Sequence, residues 1–137
     1  MGSPLLYVDT NVIMDAIEDR KNIFGNDIGT PAFKLFKEAI SCKYHIIISA
    51  FTLYELRKKC KVDTTMFFEV IKQKRIHVGY DKEDEGKARL LSESNFDDAL
   101  HVVIAERENA DCIITRNVDD FKAIRTKIPI RKPEQLI

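Results

Sequence analysis

The run Leu5-Leu6-Tyr7-Val8, followed at once by Asp9-Thr10-Asn11, is the feature that most constrains what this chain can fold into. Four side chains able to fill a core lead into a carboxylate, a hydroxyl and a carboxamide, and the apolar periodic segment Val12, Ile13, Ala16, Ile17 begins directly afterwards. That pattern predicts a buried parallel strand ending in polar groups at a helix start. In open α/β sheets, chemistry collects at the carboxyl ends of such strands. Helix capping explains poorly a carboxylate that closes a buried strand, because an ionised group withdrawn from water needs a partner. Asp9 is the first candidate site residue.

The rest of the chain repeats the alternation. A helix is expected from Thr10 to about Asp19, with Thr10 or Asn11 available as its cap. Arg20 to Thr30 carries two glycines and two asparagines and reads as a surface loop. Thr30-Pro31 starts a helix with proline at its first position, and Phe33, Leu35, Phe36, Ala39 and Ile40 supply its apolar side as far as Cys42. His45 to Ala50 is a β-branched run expected to form a second parallel strand, with a helix from about Thr52. Val62 to Lys74 is expected to be an amphipathic helix through Met66, Phe67, Val70 and Ile71, and Arg75 to Gly79 a third strand. Lys82 to Glu93 reads as a charged helix with Ala88, Leu90 and Leu91. Asn95 to Glu108 is apolar on both sides and should be covered on both. Cys112 to Thr115 makes a fourth strand, and Ile128-Pro129-Ile130 a short edge strand where proline is tolerated. The expected class is α/β: a three-layer α/β/α sandwich around a parallel sheet of four to five strands, with right-handed crossovers.

Composition bounds the function. The chain's 137 residues suit one domain, 1–137, with a core of its own. Twenty-two basic and twenty-two acidic residues give zero formal net charge, against strong nonspecific nucleic-acid binding through global charge. A local basic patch remains available in Arg57-Lys58-Lys59 with Lys61, and in Lys72, Lys74 and Arg75. No apolar run approaches the roughly 20 residues that span a bilayer, and no cationic segment precedes a long apolar one, so no membrane anchor or secretory signal is expected. Cys42, Cys60 and Cys112 are widely spaced, with no zinc or thioredoxin pattern, and read as reduced cytosolic thiols. A cytoplasmic location follows as the expectation.

Carboxylates stand at or near a strand end or helix start in four places: Asp9, Glu55, Asp97-Asp98 and Asp119-Asp120. Each of the last three has a structural explanation. Thr52-Leu53-Tyr54-Glu55 matches a capping box, and Asn95 and Asn117 are placed to cap helices whose first turns are acidic. Together they say more, because acids at the ends of adjacent strands converge on one cleft and repel unless a cation or protons neutralise them. Oxygen donors without a Cys/His cluster favour Mg²⁺ or Mn²⁺ over zinc, and such ions support phosphodiester hydrolysis. His101 lies three residues after Asp98, a spacing that puts both on one helix face, but its apolar segment favours a core or supporting histidine. Helical spacing does not choose between Asp97 and Asp98. There is no Gly-rich phosphate loop, and Asp9-Thr10-Asn11 lacks the second aspartate of a haloacid dehalogenase-like phosphatase.

From Leu5 onward the chain resembles the PIN-domain family, the metal-dependent ribonucleases that include the toxin halves of VapBC toxin–antitoxin pairs. The resemblance is carried by Tyr7-Val8-Asp9-Thr10-Asn11-Val12, by Ser49-Ala50 through Tyr54-Glu55-Leu56, by Asp98-Ala99-Leu100-His101-Val102, by Thr115-Arg116-Asn117 with Asp120-Phe121, and by the closing Pro133-Glu134-Gln135-Leu136. It implies Asp9 as the central metal ligand, Glu55 on the helix after the second strand, and Asp98 rather than Asp97 as the third acid. The family often has an acid after Thr-Arg, where this chain has Asn117, so the fourth position stays open between Asn117 and Asp120. Thr10, Asn11 and Thr115 are implied as supporting groups.

The reading is a PIN-like endoribonuclease holding Mg²⁺ or Mn²⁺ on Asp9, Glu55, Asp98 and Asp120. Its implied company is an RNA substrate, a small antitoxin and a second copy of the chain in a homodimer. The rival is a PIN-fold RNA- or protein-binding module with a weakened or inactive metal site.

Overall fold

The computed structural model describes residues 3–18, 27, 29–41 and 43–136. Most of the expected Arg20 to Thr30 loop lies outside them. The elements run in the order β1 (Leu5–Val8), α1 (Thr10–Glu18), α2 (Gly29–Ile40), β2 (His45–Ser49), α3 (Ala50–Lys59), α4 (Thr65–Val70), β3 (Arg75–Val78), α5 (Lys82–Leu91), α6 (Phe96–Arg107), β4 (Cys112–Ile114), α7 (Val118–Lys122) and β5 (Ile130–Arg131), closed by a 3₁₀ turn at Pro133–Gln135.

The strands form one five-stranded sheet in the order β3-β2-β1-β4-β5, and every pairing is parallel. The chain steps outward from β1 to β2 to β3, then returns to lay β4 on the other side of β1. This reversal makes the carboxyl ends of β1 and β4 the switch point, where adjacent connections diverge and leave a crevice.

Strand side chains alternate between the two faces, and the core divides accordingly. Leu6, Val8, Ile46, Ile48, Cys112 and Ile114 pack with α1 and α2 through Val12, Ile13, Leu35 and Phe36. Tyr7, Ile47 and Ile113 point the other way, against Ala99, Leu100, Val103 and Ile104 of α6 and Phe121 of α7. The expected three-layer α/β/α architecture is therefore present, and Ala99 to Ala105 of α6 are all buried, as a helix apolar on both sides requires.

Several local expectations need correction. The helix expected over Val62 to Lys74 is only six residues long, and Met66 and Val70, assigned to its apolar face, are exposed while Phe68 is buried. Phe33, Leu90 and Leu91 are exposed as well. Side chains that are merely apolar at the right period need an opposing element to bury them, and no described element covers these. α3 begins at Ala50, two residues earlier than expected. Its cap is Ser49, whose Oγ accepts the Thr52 N–H at 3.0 Å. Asn95 and Asn117 do precede α6 and α7, but neither makes a side-chain cap bond.

Candidate metal centre

The switch-point crevice is built from residues immediately after the central strands. Asp9 follows β1, and its N–H extends the ladder to the Ile114 carbonyl at 2.9 Å while its own carbonyl accepts the Val12 N–H in the first turn of α1. Both backbone groups are thus satisfied, and the side chain is carried into the crevice with 3% exposure. Thr115, directly after β4, donates its hydroxyl to Asp9 Oδ2 at 2.8 Å and accepts the Asn117 N–H at 3.0 Å.

Glu55 reaches the same crevice from α3. Because Ser49 performs the capping, the Glu55 carboxylate is not turned back to the helix start as a Thr52–Glu55 capping box would have it. Its Oε1 accepts the Thr10 hydroxyl at 2.7 Å, and its Oε2 meets Lys59 Nζ at 3.4 Å.

His101 joins the acids. Its Nε2 lies 2.6 Å from Glu55 Oε1 and 3.9 Å from Asp9 Oδ1, and its Nδ1 lies 2.6 Å from the Tyr7 hydroxyl. An ionised carboxylate only accepts hydrogen bonds, so Nε2 carries the proton it shares with Glu55. Tyr7 OH also meets Ser49 Oγ at 2.9 Å, and Ser49 Oγ meets Thr52 Oγ1 at 3.0 Å. A continuous buried chain thus runs from the cap of α3 through β1 and α6 to the carboxylate of α3. The sequence reading favoured a core or supporting histidine, and His101 is indeed fully buried within the apolar helix while its ring edge serves the acids. The Asp98-to-His101 spacing was the one signal for this; Tyr7, Ser49 and Thr52 gave none, since their hydroxyls meet only when three elements pack.

The electrostatics follow from burial. For Asp9, loss of water dominates and, with the charge of Glu55, raises its pKa against the lowering effects of His101 and Thr115. For Glu55, burial pushes upward but the His101 bond and charge, Thr10 and Lys59 outweigh it, and the pKa falls to about 2. Burial alone would lower the His101 pKa; Tyr7, Glu55 and Asp9 overcome it and hold the imidazole well above its ordinary range.

Asp98, in the first turn of α6, is half-buried, and Asn95 Nδ2 donates to its Oδ2 at 3.0 Å. Burial raises its pKa, with further upward pushes from Asp9 and Asp120, so the three acids share one electrostatic neighbourhood. Asp97 is exposed, and its charge is felt by Lys58. Asn117 and Asp120 are both exposed and line a common cavity with Arg116 and Lys132 beside the crevice. Asn11 is partly buried in α1 and makes no described contact with the acids.

Asp9, Glu55 and His101 each place a ligand-type atom within 4.8 Å of the others. Hard carboxylate oxygens predominate, and burial, with the charge of Glu55, disfavours the ionised form of Asp9, a cost that a bound cation would offset. The carboxylates of Asp9 and Glu55, with His101 as the hydrogen-bond donor to Glu55 rather than a ligand, fit a small divalent ion.

Comparison with known proteins agrees with this geometry. A family model described as PIN domain matches residues 6–119. No curated protein matches the sequence. Among solved structures, a chain of VapBC2 from Rickettsia felis, bound to a DNA fragment from their promoter, superposes with a TM-score of 0.62 at 18% identity, covering 93% of this chain and 97% of that one. A chain of a toxin–antitoxin complex from Klebsiella pneumoniae gives a TM-score of 0.61 at 19% identity, covering 96% of this chain and 98% of that one. At such identities these likenesses speak to the fold, and with the family match over most of the sequence they lead to one assignment: the chain belongs to the PIN-domain family.

Proposed function

We propose that this protein is a Mg²⁺- or Mn²⁺-dependent endoribonuclease, the toxin component of a VapBC-type toxin–antitoxin pair. The observation that carries the reading is the buried convergence of Asp9 and Glu55 on one imidazole, with Asp98 beside them, at the switch point of a PIN-domain sheet.

Asp9, Glu55, Asp98 and Asp120 are the residues that would hold the ion. A divalent ion bound there supplies Lewis-acid stabilisation of the charge that develops on a phosphodiester and makes water more acidic. The protein's own groups prepare that site. Thr115 donates to Asp9 Oδ2, with His101 Nε2 3.9 Å from Oδ1, while Thr10 and His101 hold Glu55 Oε1 and Lys59 Nζ lies 3.4 Å from Oε2. Asp98 is steadied for holding the ion by Asn95, whose Nδ2 donates to its Oδ2 at 3.0 Å. Thr115 also accepts the backbone N–H of Asn117, which ties the turn after β4 to Asp9, and the Asn117 and Asp120 side chains share the adjoining cavity.

Of the structural neighbours named above, one is described as a toxin–antitoxin complex and the other as VapBC2 bound to a DNA fragment from their promoter, which supports a small antitoxin as partner. Exposed Phe33, Met66 and Val70 on α2 and α4 are compatible with a homodimer. No helix among the described residues is long and apolar enough to cross a membrane, in keeping with a cytoplasmic site of action.

A second reading, a PIN-fold RNA- or protein-binding module with an inactive metal site, is favoured by two observations. Asn117 stands where the family often has an acid, and His101 and Lys59 already neutralise Glu55. Purified protein incubated with labelled RNA decides between them. Cleavage should require Mg²⁺ or Mn²⁺, stop with chelator and vanish in Asp9→Asn. Undiminished cleavage by that variant overturns the nuclease assignment, and absence of Asp9-dependent Mn²⁺ uptake by calorimetry favours the binding module.

A further inference from the structure

α3 carries one stripe of different chemistry on successive turns. Phe51, Tyr54, Glu55 and Lys58 stand at positions i, i+3, i+4 and i+7, the spacing of a single helix face. Phe51 is buried against the His101 ring at a centroid distance of 4.9 Å, and Tyr54 stacks outside it at 6.2 Å with the rings 18° apart. Tyr54 remains 48% exposed, although it adjoins the candidate ligand Glu55 in sequence and on the helix surface. Lys58 Nζ donates to the Tyr54 hydroxyl at 2.8 Å and lies 4.7 Å from its ring centroid, so the ring is held from its buried side and at its tip.

The placement of this stripe is informative. Tyr54 directly precedes the candidate ligand Glu55 on α3, and Lys58 beside it is near enough to Asp97, the neighbour of Asp98 at the start of α6, to feel its charge. The adjoining last turn of α3 concentrates Arg57, Lys58 and Lys59, all exposed, in a chain whose formal net charge is zero. A flat, pre-oriented aromatic surface with cations one turn away suits a nucleobase and its phosphate better than an aliphatic segment, which would gain nothing from the clustered charge.

We propose that Tyr54 is the stacking platform for an unpaired base of single-stranded RNA, with Lys58 holding the adjoining phosphate. This inference rests on the ribonuclease reading for its ligand class. A duplex keeps its bases stacked on one another and has none to offer, so the subsite selects single strands.

Binding of a short single-stranded RNA containing 2-aminopurine, followed by fluorescence and anisotropy in chelator so that nothing is cut, tests the subsite. Wild-type protein should bind with a change in 2-aminopurine emission. Tyr54→Ala and Tyr54→Leu should each weaken binding about tenfold and lose that change, whereas Tyr54→Trp should keep both. Binding of a blunt duplex of the same sequence should not depend on Tyr54. Circular dichroism identifies any variant that fails to fold, and Tyr54→Trp against Tyr54→Leu preserves the comparison if Tyr54→Ala does so. Unchanged affinity in Tyr54→Leu, equal losses for duplex and single strand, or no RNA binding by the wild type overturns the proposal, the first leaving the exposed ring to a protein partner. Metal-dependent cleavage is scored separately. Tyr54-dependent binding without cleavage sinks the nuclease reading alone, and cleavage with an unaltered KM in Tyr54→Leu sinks this one alone.

Discussion

His101 Nε2 and Glu55 Oε1 lie 2.6 Å apart, joining α6 to α3 across the carboxyl ends of the central strands. Both side chains are buried. The imidazole therefore does two things: it fixes the rotamer of a carboxylate that belongs to the candidate metal centre, and it supplies positive charge among acids that would otherwise repel.

Replacing His101 separates these effects. His101→Gln keeps an N–H near the Nε2 position and should retain Glu55 orientation, with Mn²⁺ affinity within a few fold of wild type. His101→Leu removes one of the partners of Glu55 and one of those of the Tyr7 hydroxyl; it should lower stability by about 3 kcal/mol and Mn²⁺ affinity by about 10- to 100-fold. Denaturant melts and calorimetric titration measure the two losses, and equal behaviour of Gln and Leu would show that the hydrogen bond is unimportant.

Asp9→Asn should abolish metal-dependent cleavage and yet stabilise the metal-free protein. The raised pKa of Asp9 means that its ionised form is disfavoured in the fold, and the neutral amide removes that cost while its oxygen still accepts from Thr115. A melting temperature in chelator above that of wild type near neutral pH, together with loss of the Mn²⁺-induced rise, is the expected pair of results.

Glu55 should govern the acid limb of stability. Its pKa is depressed from the ordinary 4.5 to about 2, so its ionised form stabilises the fold above about pH 4.5, and that contribution is lost as pH falls towards 2. The stability difference between wild type and Glu55→Gln, from denaturant melts at stepped pH, should shrink across this window. A difference that is flat from pH 5 to pH 2 would contradict the ion pair with His101.

Tyr7→Phe preserves the buried ring and removes only the hydroxyl that meets His101 Nδ1 and Ser49 Oγ. Leaving those two buried groups short of a partner should cost about 1–3 kcal/mol by equilibrium unfolding. A loss much smaller than this would mean that water or a rearranged Ser49 replaces the phenol.

The sequence alone determined the layer architecture and nominated most of the candidate acids. Leu5 to Val8, His45 to Ser49 and Cys112 to Ile114 are short runs, apolar or β-branched in character, separated by helical periodicity, and such runs are buried only in a parallel sheet covered on both faces. Asp9 was legible because a carboxylate closing a buried strand has few structural excuses. Other features depended on partners distant in sequence. Met66 and Val70 have the right period for a buried face, but nothing described opposes them. Glu55 fitted a capping box until Ser49 took the capping role. Asp97 and Asp98 are indistinguishable in composition, and only the packing of α6 leaves one exposed and the other half-buried, bonded to Asn95 and within reach of the Asp9 charge. The Tyr7–His101–Glu55 chain could not be read locally at all, since its members are 94 and 46 residues apart and meet only because β4 returns to the side of β1. Periodicity encodes which faces are buried, whereas the meeting of particular polar atoms is decided by the crossover topology and packing that bring remote elements to one crevice.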